Sequence, residues 1–247
     1  MSLRALLVAL ALAAPVDAPA SAGPRAGLTV WPARVRVGPG AADTIHVANA
    51  SGRVQVLAAR VAGFALDVRG TPRVVGTSAG TPLLRVRPAQ AVVPPGATAS
   101  FSVSATAARA GRPGDRPALV LLTARTAGGA GVGVRLRIGV SVEVRLPGRV
   151  QRRLAVLSVR KRHGRALDVL VENRGDVAER VVHGVVVLRV RRRGRVVAIL
   201  QPRSRELLPR SRGIVEFVVP RRLRGRVTVI AVAPRLGGAG RSVSVKT

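Results

Sequence analysis

The 247-residue sequence contains no cysteine and no tyrosine, and aromatic residues make up only 2% of the chain. Without cysteine, the protein has no disulfide framework and no thiolate ligand for zinc. One Trp and three Phe are too few for the stacking platforms with which proteins bind single-stranded nucleic acid. The core must therefore be built from Val, Leu, Ile and Ala, and the many valines favour strands over helices.

Negative charge is also scarce, with 11 acidic residues against 42 basic ones and a net charge of +31. Nearly all the basic residues are arginines, and many alternate with apolar residues, as in Val35-Arg36-Val37. Such alternation places the arginines on the solvated face of a strand. Two interpretations stay open, a solvated surface or a footprint for an anionic partner, and no nucleic-acid partner is expected.

A long apolar run occurs only near the N-terminus. Residues 1–4 supply a short positive region, residues 5–14 an apolar run, and Ala20-Ser21-Ala22 a cleavage signal. This pattern predicts a secretory signal peptide at residues 1–22. No later run reaches about 18 apolar residues, so no transmembrane anchor is expected. We expect the mature protein to be secreted or to lie in the cell envelope, in a periplasm-like space.

From residue 27 onward, short apolar runs with a period of two are separated by Gly and Pro at the spacing of turns in a β-sandwich. This pattern predicts an all-β chain with two immunoglobulin-like β-sandwich domains in tandem, at residues 23–147 and 148–247. A weak internal repeat supports the division, because Asn49 and Asn173 each end a predicted strand before a glycine-containing turn. The candidate strands form two sets of seven: 28–37, 44–50, 54–64, 83–87, 99–105, 118–125 and 132–146, then 154–160, 166–173, 181–191, 196–200, 213–219, 226–233 and 242–246.

The sequence offers no constellation of residues for catalysis or metal binding. The three histidines, His46, His163 and His183, are far apart, and none has another histidine at metal-ligand spacing. The glycine-rich run at 128–133 lacks the following helix of a phosphate-binding loop, which indicates a hairpin loop instead. We therefore expect a protein that is not an enzyme and that uses no cofactor.

The most regular feature is the segment 132–146, in which every even position is apolar and the odd positions are Gly, Arg, Ser or Glu. Such a strand is far longer than the usual five or six residues. It is either a long internal strand of the first domain or an edge strand that offers its apolar row to a partner by strand addition. On the second interpretation, the partner-binding residues are those of the apolar row: Val134, Leu136, Ile138, Val140, Val142 and Val144.

Four segments of the first half carry a further similarity, in this order: residues 28–35, 83–88 followed by 93–101, 113–122 and 132–147. This similarity is to the periplasmic pilus-assembly chaperones, which the chain resembles over its first half. It implies two immunoglobulin-like domains, a cleft arginine at Arg34 that holds a subunit carboxylate, and a long strand lent to an incomplete partner. The stretch corresponding to the lysine that accompanies this arginine in the family is 140–143, and it contains no basic residue.

The resemblance implies a non-catalytic module that captures an exported subunit or another envelope component by β-strand addition. An alternative resemblance is to two-domain surface proteins of Gram-positive bacteria. It implies a structural or adhesive protein that binds anionic cell-wall polymers or wall proteins, a role for which the more basic second domain is suited.

Overall fold

The computed structural model describes residues 27–106, 111–127, 135–162, 164–221, 223, 225–234, 236 and 238–246. The predicted signal peptide, the glycine-rich run, Val132, Val134 and His163 lie outside the described residues. Within them, the chain is all-β and folds as two immunoglobulin-like sandwiches in tandem, as predicted. In this described part of the chain, no helix is long and apolar enough to cross a membrane.

In the described ranges, the strands follow one another with one turn of 3-10 helix between them, at Thr81–Leu83. Those of the first domain are β1 (Leu28–Trp31), β2 (Arg34–Val37), β3 (Ala42–Asn49), β4 (Gln55–Leu66), β5 (Pro72–Val75), β6 (Leu84–Arg87), β7 (Gln90–Val93), β8 (Thr98–Ala105), β9 (Gly114–Thr126) and β10 (Arg135–Leu146). Those of the second are β11 (Leu154–Lys161), β12 (Ala166–Asn173), β13 (Glu179–Val181), β14 (Val187–Arg192), β15 (Arg195–Leu200), β16 (Arg205–Leu207), β17 (Arg212–Val218), β18 (Arg226–Ala233) and β19 (Gly238–Lys246).

The first domain packs a sheet of order β1-β3-β8-β6 against a sheet of order β2-β10-β9-β4-β5, with β7 paired to β4. Alternation within each strand sends every second side chain between the sheets. On β2, for example, Val35 and Val37 are buried whereas Arg34 and Arg36 point outward. Since valines and leucines dominate this core, Phe101 is its one aromatic ring among the described residues.

The segment predicted as one strand at 28–37 is in fact two strands in different sheets. Pro32 and Ala33 interrupt it, and Pro has no N–H group to continue a ladder. β1 pairs with β3 in an antiparallel arrangement, whereas β2 crosses to the other sheet and pairs with β10 in parallel. This crossing decides which part of β10 is covered.

The second domain contains sheets of order β11-β12-β17 and β15-β14-β18-β19, together with the short pair β13-β16. The strand predicted at 181–191 is divided here between β13 and β14. The hydrophobic core of the second domain is separate from that of the first domain. Its buried residues run from Leu154 to Ala233, whereas those of the first core end at Leu146. The boundary predicted between residues 147 and 148 lies between these two cores and stays a prediction.

The repeated asparagines have the same role in both domains. The Nδ2 group of Asn49 donates hydrogen bonds to the carbonyl oxygens of Arg53, Val93 and Pro94. Its Oδ1 atom accepts one from the N–H group of Ser51. Likewise, Nδ2 of Asn173 donates to three backbone carbonyl oxygens, and its Oδ1 accepts from the backbone of the following turn. Each buried amide thus fastens the end of one strand to a second chain segment.

Candidate functional site

One edge of β10 is open over half of its length. On one side, β10 pairs with β9 from Arg135 to Leu146. On the other side, β2 pairs only with Ser141 to Val144. From Arg135 to Val140, therefore, the outer edge of β10 has no strand partner within the residues that the structure describes. Unpaired N–H and C=O groups on such an edge are available to a further strand.

The apolar row of β10 changes its environment along the strand. Leu136 is 44% exposed, and Ile138 is partly buried against the first core. Val140, Val142 and Val144 are each 0% exposed and belong to that core. Their assignment as partner-binding residues is therefore corrected: the facing sheet and β2 already cover them. Val134, at the other end of the row, lies outside the described residues.

The accessible part of the row thus consists of Leu136 and Ile138, on the stretch whose backbone edge is open. Arg135, which precedes Leu136, and Arg137, which lies between Leu136 and Ile138, point to the opposite face and are exposed. A partner strand laid along this edge would meet backbone hydrogen-bonding groups and, on one face, two aliphatic side chains. Full burial of a leucine or isoleucine stabilises a complex by about 1.5–3 kcal/mol.

Arg34 lies on β2 directly opposite Ser141 of β10, close to where the open edge begins. Its guanidinium group is 3.2 Å from Oε1 of Glu143. The same carboxylate accepts hydrogen bonds at 2.8 and 3.1 Å from Arg36. Glu143 is only 1% exposed, so these two arginines balance a buried negative charge. The stretch 140–143, which contains no basic residue, thus places the carboxylate of Glu143 beside Arg34.

Arg34 also forms an ion pair with Glu206 on β16 of the second domain. The two residues are 172 positions apart in the sequence, and no local pattern predicts their contact. Glu206 is more accessible than Glu143, with its side chain 29% exposed. Arg34, which the resemblance predicts to be a binding residue, therefore forms ion pairs with two carboxylates of its own chain.

A cavity of about 580 Å³ opens beside this ion pair, between residues of the two domains. Arg205 is the most enclosed of its arginines, and burial lowers the pKa of this guanidinium group below its ordinary value. Arg205 donates a hydrogen bond of 3.0 Å to the carbonyl oxygen of Asp67, which links the domains. The wall consists mainly of cationic and apolar side chains, including Arg34, Phe64, Leu66, Arg69, Arg180 and Arg205, and it also contains the carboxylate of Glu206.

An ion pair with a buried carboxylate lies at the contact between the two domains. Asp115 on β9 is 1% exposed and pairs with Arg145 on β10, whose Nη2 atom donates a hydrogen bond of 3.0 Å. The same carboxylate accepts a hydrogen bond of 2.8 Å from the backbone N–H of Ala178 in the second domain. The hydrogen bond to Asp115 raises the pKa of Arg145, so the guanidinium group stays charged. The backbone N–H of Asp115 donates in turn to the carbonyl oxygen of Asp176, at 2.8 Å.

An apolar contact lies next to this pair. Phe64, Leu119 and Leu121 lie on the outer face of the β4–β9 sheet and form a cluster with Leu208 of the second domain. Apolar burial and the Asp115 network together fix the walls of the cleft. No local sequence pattern predicts either contact, because both join residues far apart in the chain.

His46, one of the two described histidines, contacts residues of its own domain. His46 stacks on Trp31 with ring centroids 5.4 Å apart, and its Nδ1 atom is 3.0 Å from the hydroxyl oxygen of Ser100. Among the described residues, no group of three His, Asp or Glu side chains could hold a metal ion.

Several solved structures that resemble this fold come from fimbrial assembly. A chain from the chaperone–tip adhesin complex of CFA/I fimbriae biogenesis is 12% identical, with a TM-score of 0.51; the match covers 90% of this chain and 100% of that one. The class 5 fimbriae chaperone CfaA is 11% identical, with a TM-score of 0.50 and the same coverage of 90% and 100%. A chain from the CsuC–CsuE chaperone–tip adhesion subunit complex of Acinetobacter baumannii is 12% identical, with a TM-score of 0.47 and coverage of 89% and 98%.

No protein-family model and no curated protein sequence matches the chain. The chain has the two-domain fold of the fimbrial assembly chaperones. The resemblance predicted from its first half is therefore confirmed at the level of the fold, and it extends over the second domain.

Proposed function

We propose that this protein is an exported chaperone-like module that captures an envelope protein by adding a strand of its own to that partner. The observation that carries the proposal is the open edge of β10 from Arg135 to Val140, with Leu136 exposed beside it. Fold likeness to the class 5 fimbriae chaperone supports it, although fold alone does not determine function.

Recognition begins with the backbone. An incomplete partner sandwich pairs its own unsatisfied edge with the N–H and C=O groups of β10, which supplies affinity without sequence specificity. The side chains of Leu136 and Ile138 then fill the apolar groove left by the partner's missing strand. Because alternate residues of a strand face opposite ways, only this row enters the groove, and Arg135 and Arg137 stay outside it.

Arg34 supplies a second point of contact in the cleft. Its partners Glu143 and Glu206 differ in accessibility, and only Glu206 can swing into solvent without leaving a buried charge. A partner carboxylate would therefore displace Glu206 and take its place on Arg34. Under this mechanism Glu206 occupies the anchor until a partner arrives, and it is the more accessible of the two carboxylates that pair with Arg34 in the free protein.

The protein acts in the cell envelope under this proposal, after removal of the leader at residues 1–22, and it performs no catalysis. Its partner is an exported subunit that lacks a strand. The proposed contact residues are Arg34, Leu136 and Ile138, together with Val134, which precedes them in the same row.

Capture from cells that export the tagged protein tests the strand-addition step. We expect Leu136→Asp and Ile138→Asp each to abolish recovery of the partner, because a carboxylate would be buried in an apolar groove. Val92→Asp is the matched control, since Val92 is 66% exposed on β7, away from the open edge. Equal recovery by wild type and both β10 variants, with circular dichroism showing that all are folded, would refute strand addition.

Glu206→Gln tests the cleft separately. Loss of the competing carboxylate is expected to raise affinity for the captured partner, and Arg34→Gln is expected to lower it. If both variants bind the partner as tightly as wild type does, Arg34 is only a link between the domains.

A further inference from the structure

The sheet β15-β14-β18-β19 of the second domain carries positive charge alone. Residues 187–200 and 226–246 contain no Asp or Glu, although they contain eight arginines and one lysine. The acidic residues of this domain lie on β12, β13, β16 and β17 and in the turn at Asp176. No carboxylate of the sheet itself is therefore available to neutralise its arginines.

Exposed aliphatic side chains accompany these arginines on β15. Val196, Val197 and Ile199 are 47, 45 and 56% exposed, which is unusual for three residues so close together. On the neighbouring strand β14, Arg189 lies opposite Ile199 and Arg191 lies opposite Val196. The outer face of this sheet therefore places guanidinium groups and aliphatic groups side by side.

The geometry of β15 disfavours a peptide strand as the occupant. β15 is an edge strand, but its register with β14 shifts between Val190 and Arg191, which leaves Val197 as a β-bulge. A bulge twists an edge strand and interrupts the regular row of hydrogen-bonding groups, and proteins use it to prevent strand addition. A partner of this edge would therefore contact the side chains of β15 rather than its backbone hydrogen-bonding groups.

The hairpin that joins β14 to β15 holds the basic groups in a fixed position. Arg193 and Gly194 form its two-residue turn, with φ angles of 49° and 79°. Such a turn matches the twist of the flanking strands and leaves little freedom to the backbone. The side chains of Arg193 and Arg195 are exposed at this tip, next to Val196 and Val197.

We propose that this hairpin face docks on an anionic lipid bilayer. The arginines lie at the level of the lipid phosphates, where each basic residue near the surface is attracted to anionic headgroups. Val197 and Ile199 enter the boundary between headgroups and acyl chains, as the apolar face of an interfacial element does. A soluble polyanion would satisfy the same charges but would leave these aliphatic groups in water, so a bilayer fits the surface better.

Sedimentation with vesicles tests the proposal. The full chain is mixed with vesicles of phosphatidylcholine alone or with 30% phosphatidylglycerol, at low and high salt. Binding is expected only with phosphatidylglycerol and is expected to weaken with salt. The double variant Arg189→Gln, Arg195→Gln should bind these vesicles about 25-fold more weakly, because each lost charge accounts for about fivefold near an anionic surface.

Two further double variants serve as controls. The first distinguishes binding to a bilayer from binding to a soluble polyanion, and the second shows whether the position of the lost charges matters. Val197→Ser, Ile199→Ser should lose about tenfold in vesicle binding, since two half-exposed aliphatic groups no longer enter the interface, and should bind dextran sulfate as wild type does. Arg85→Gln, Arg87→Gln removes two exposed charges from β6 of the first domain and should bind the vesicles normally. All proteins carry the same N-terminus, so any contribution of residues 1–22 cancels.

Three results would overturn the proposal: no preference for phosphatidylglycerol, equal loss in the β6 control, or undiminished vesicle binding by the serine variant. The last of these, with dextran sulfate bound tightly, would identify a polymer-binding surface instead. The proposal is independent of strand addition by β10, and Leu136→Asp should bind the vesicles as wild type does. Thermal unfolding shows whether each variant is folded, and if the serine variant is not, the arginine variants decide.

Discussion

Replacing Asp115 by Asn should destabilise the protein more than any exposed acidic substitution, because this carboxylate joins the domains from a fully buried position. Its side chain is 0% exposed, and it is bound by Arg145 and by the backbone N–H of Ala178. Weakening the charged hydrogen bonds to this buried acceptor costs about 1.5–3 kcal/mol. The cost stays below that of a fully buried pair, because the Arg145 side chain is 35% exposed and can turn its guanidinium group toward solvent. The expected loss is still a substantial part of the roughly 5–15 kcal/mol by which folded proteins are usually stable.

Urea unfolding followed by circular dichroism measures this loss. Asp176→Asn is the matched control, because the Asp176 carboxylate is 21% exposed and pairs with Arg210 at the surface. Surface pairs contribute about 0–1 kcal/mol, so the control should unfold near the wild-type midpoint. The double variant Asp115→Asn, Arg145→Met should recover part of the lost stability, because it removes both charges at once.

A value within about 1 kcal/mol of wild type for Asp115→Asn would refute the reasoning. It would mean that water reaches the pair in solution, or that the contact between the domains at Ala178 does not persist. A partner-capture defect in a folded Asp115→Asn variant would further connect the domain arrangement to the cleft at Arg34.

Two other predictions concern stability. Asn173→Ala leaves three backbone carbonyl oxygens without their side-chain donor, so it should lower the free energy of unfolding in urea by about 2–4 kcal/mol. Asn49→Ala should have the same effect in the first domain. A loss below about 1 kcal/mol in both variants would contradict the assigned role. Hydrogen bonds from Arg174 and Arg212 lower the pKa of Glu172, and one from Arg210 lowers that of Asp176. Their contribution to stability is therefore complete above the ordinary carboxyl pKa values near 4 and is lost as the pH falls through the lowered values. The unfolding midpoint should be flat above pH 6 and fall in acid, less steeply for Glu172→Gln; an acid dependence identical to wild type would count against this cause.

The fold was predictable because it follows from local pattern. Period-two alternation, with turn residues at regular intervals, requires short strands that bury one face. The same pattern did not reveal that β1 and β2 belong to different sheets, since a side-chain period reports the face of a strand and not its neighbour. Short strands such as β5 and β16 were missed for a related reason: in Pro72–Val75 and Arg205–Leu207 the sequence is too brief to display alternation.

The candidate site was only partly predictable. Arg34 and the apolar row of β10 could be found, because a resemblance and a regular pattern mark them. The partners of Arg34 could not, because Glu206 comes from a strand of the other domain and Glu143 looks like any solvated residue of an alternating strand. Contacts between distant segments are decided by how the two domains pack, and one sequence carries no local sign of them.

The alternating row of β10 serves two purposes that the sequence does not distinguish. Val140, Val142 and Val144 are needed in the core, where they hold β10 between β9 and the facing sheet. The same periodicity continues to Ile138 and Leu136, but β2 does not reach that far, so these side chains are free to act on a partner. The buried half anchors the strand and keeps its register, and the open half is thereby held extended before any partner binds. A strand fixed in this way loses little conformational entropy on docking, which is what a module that lends a strand requires.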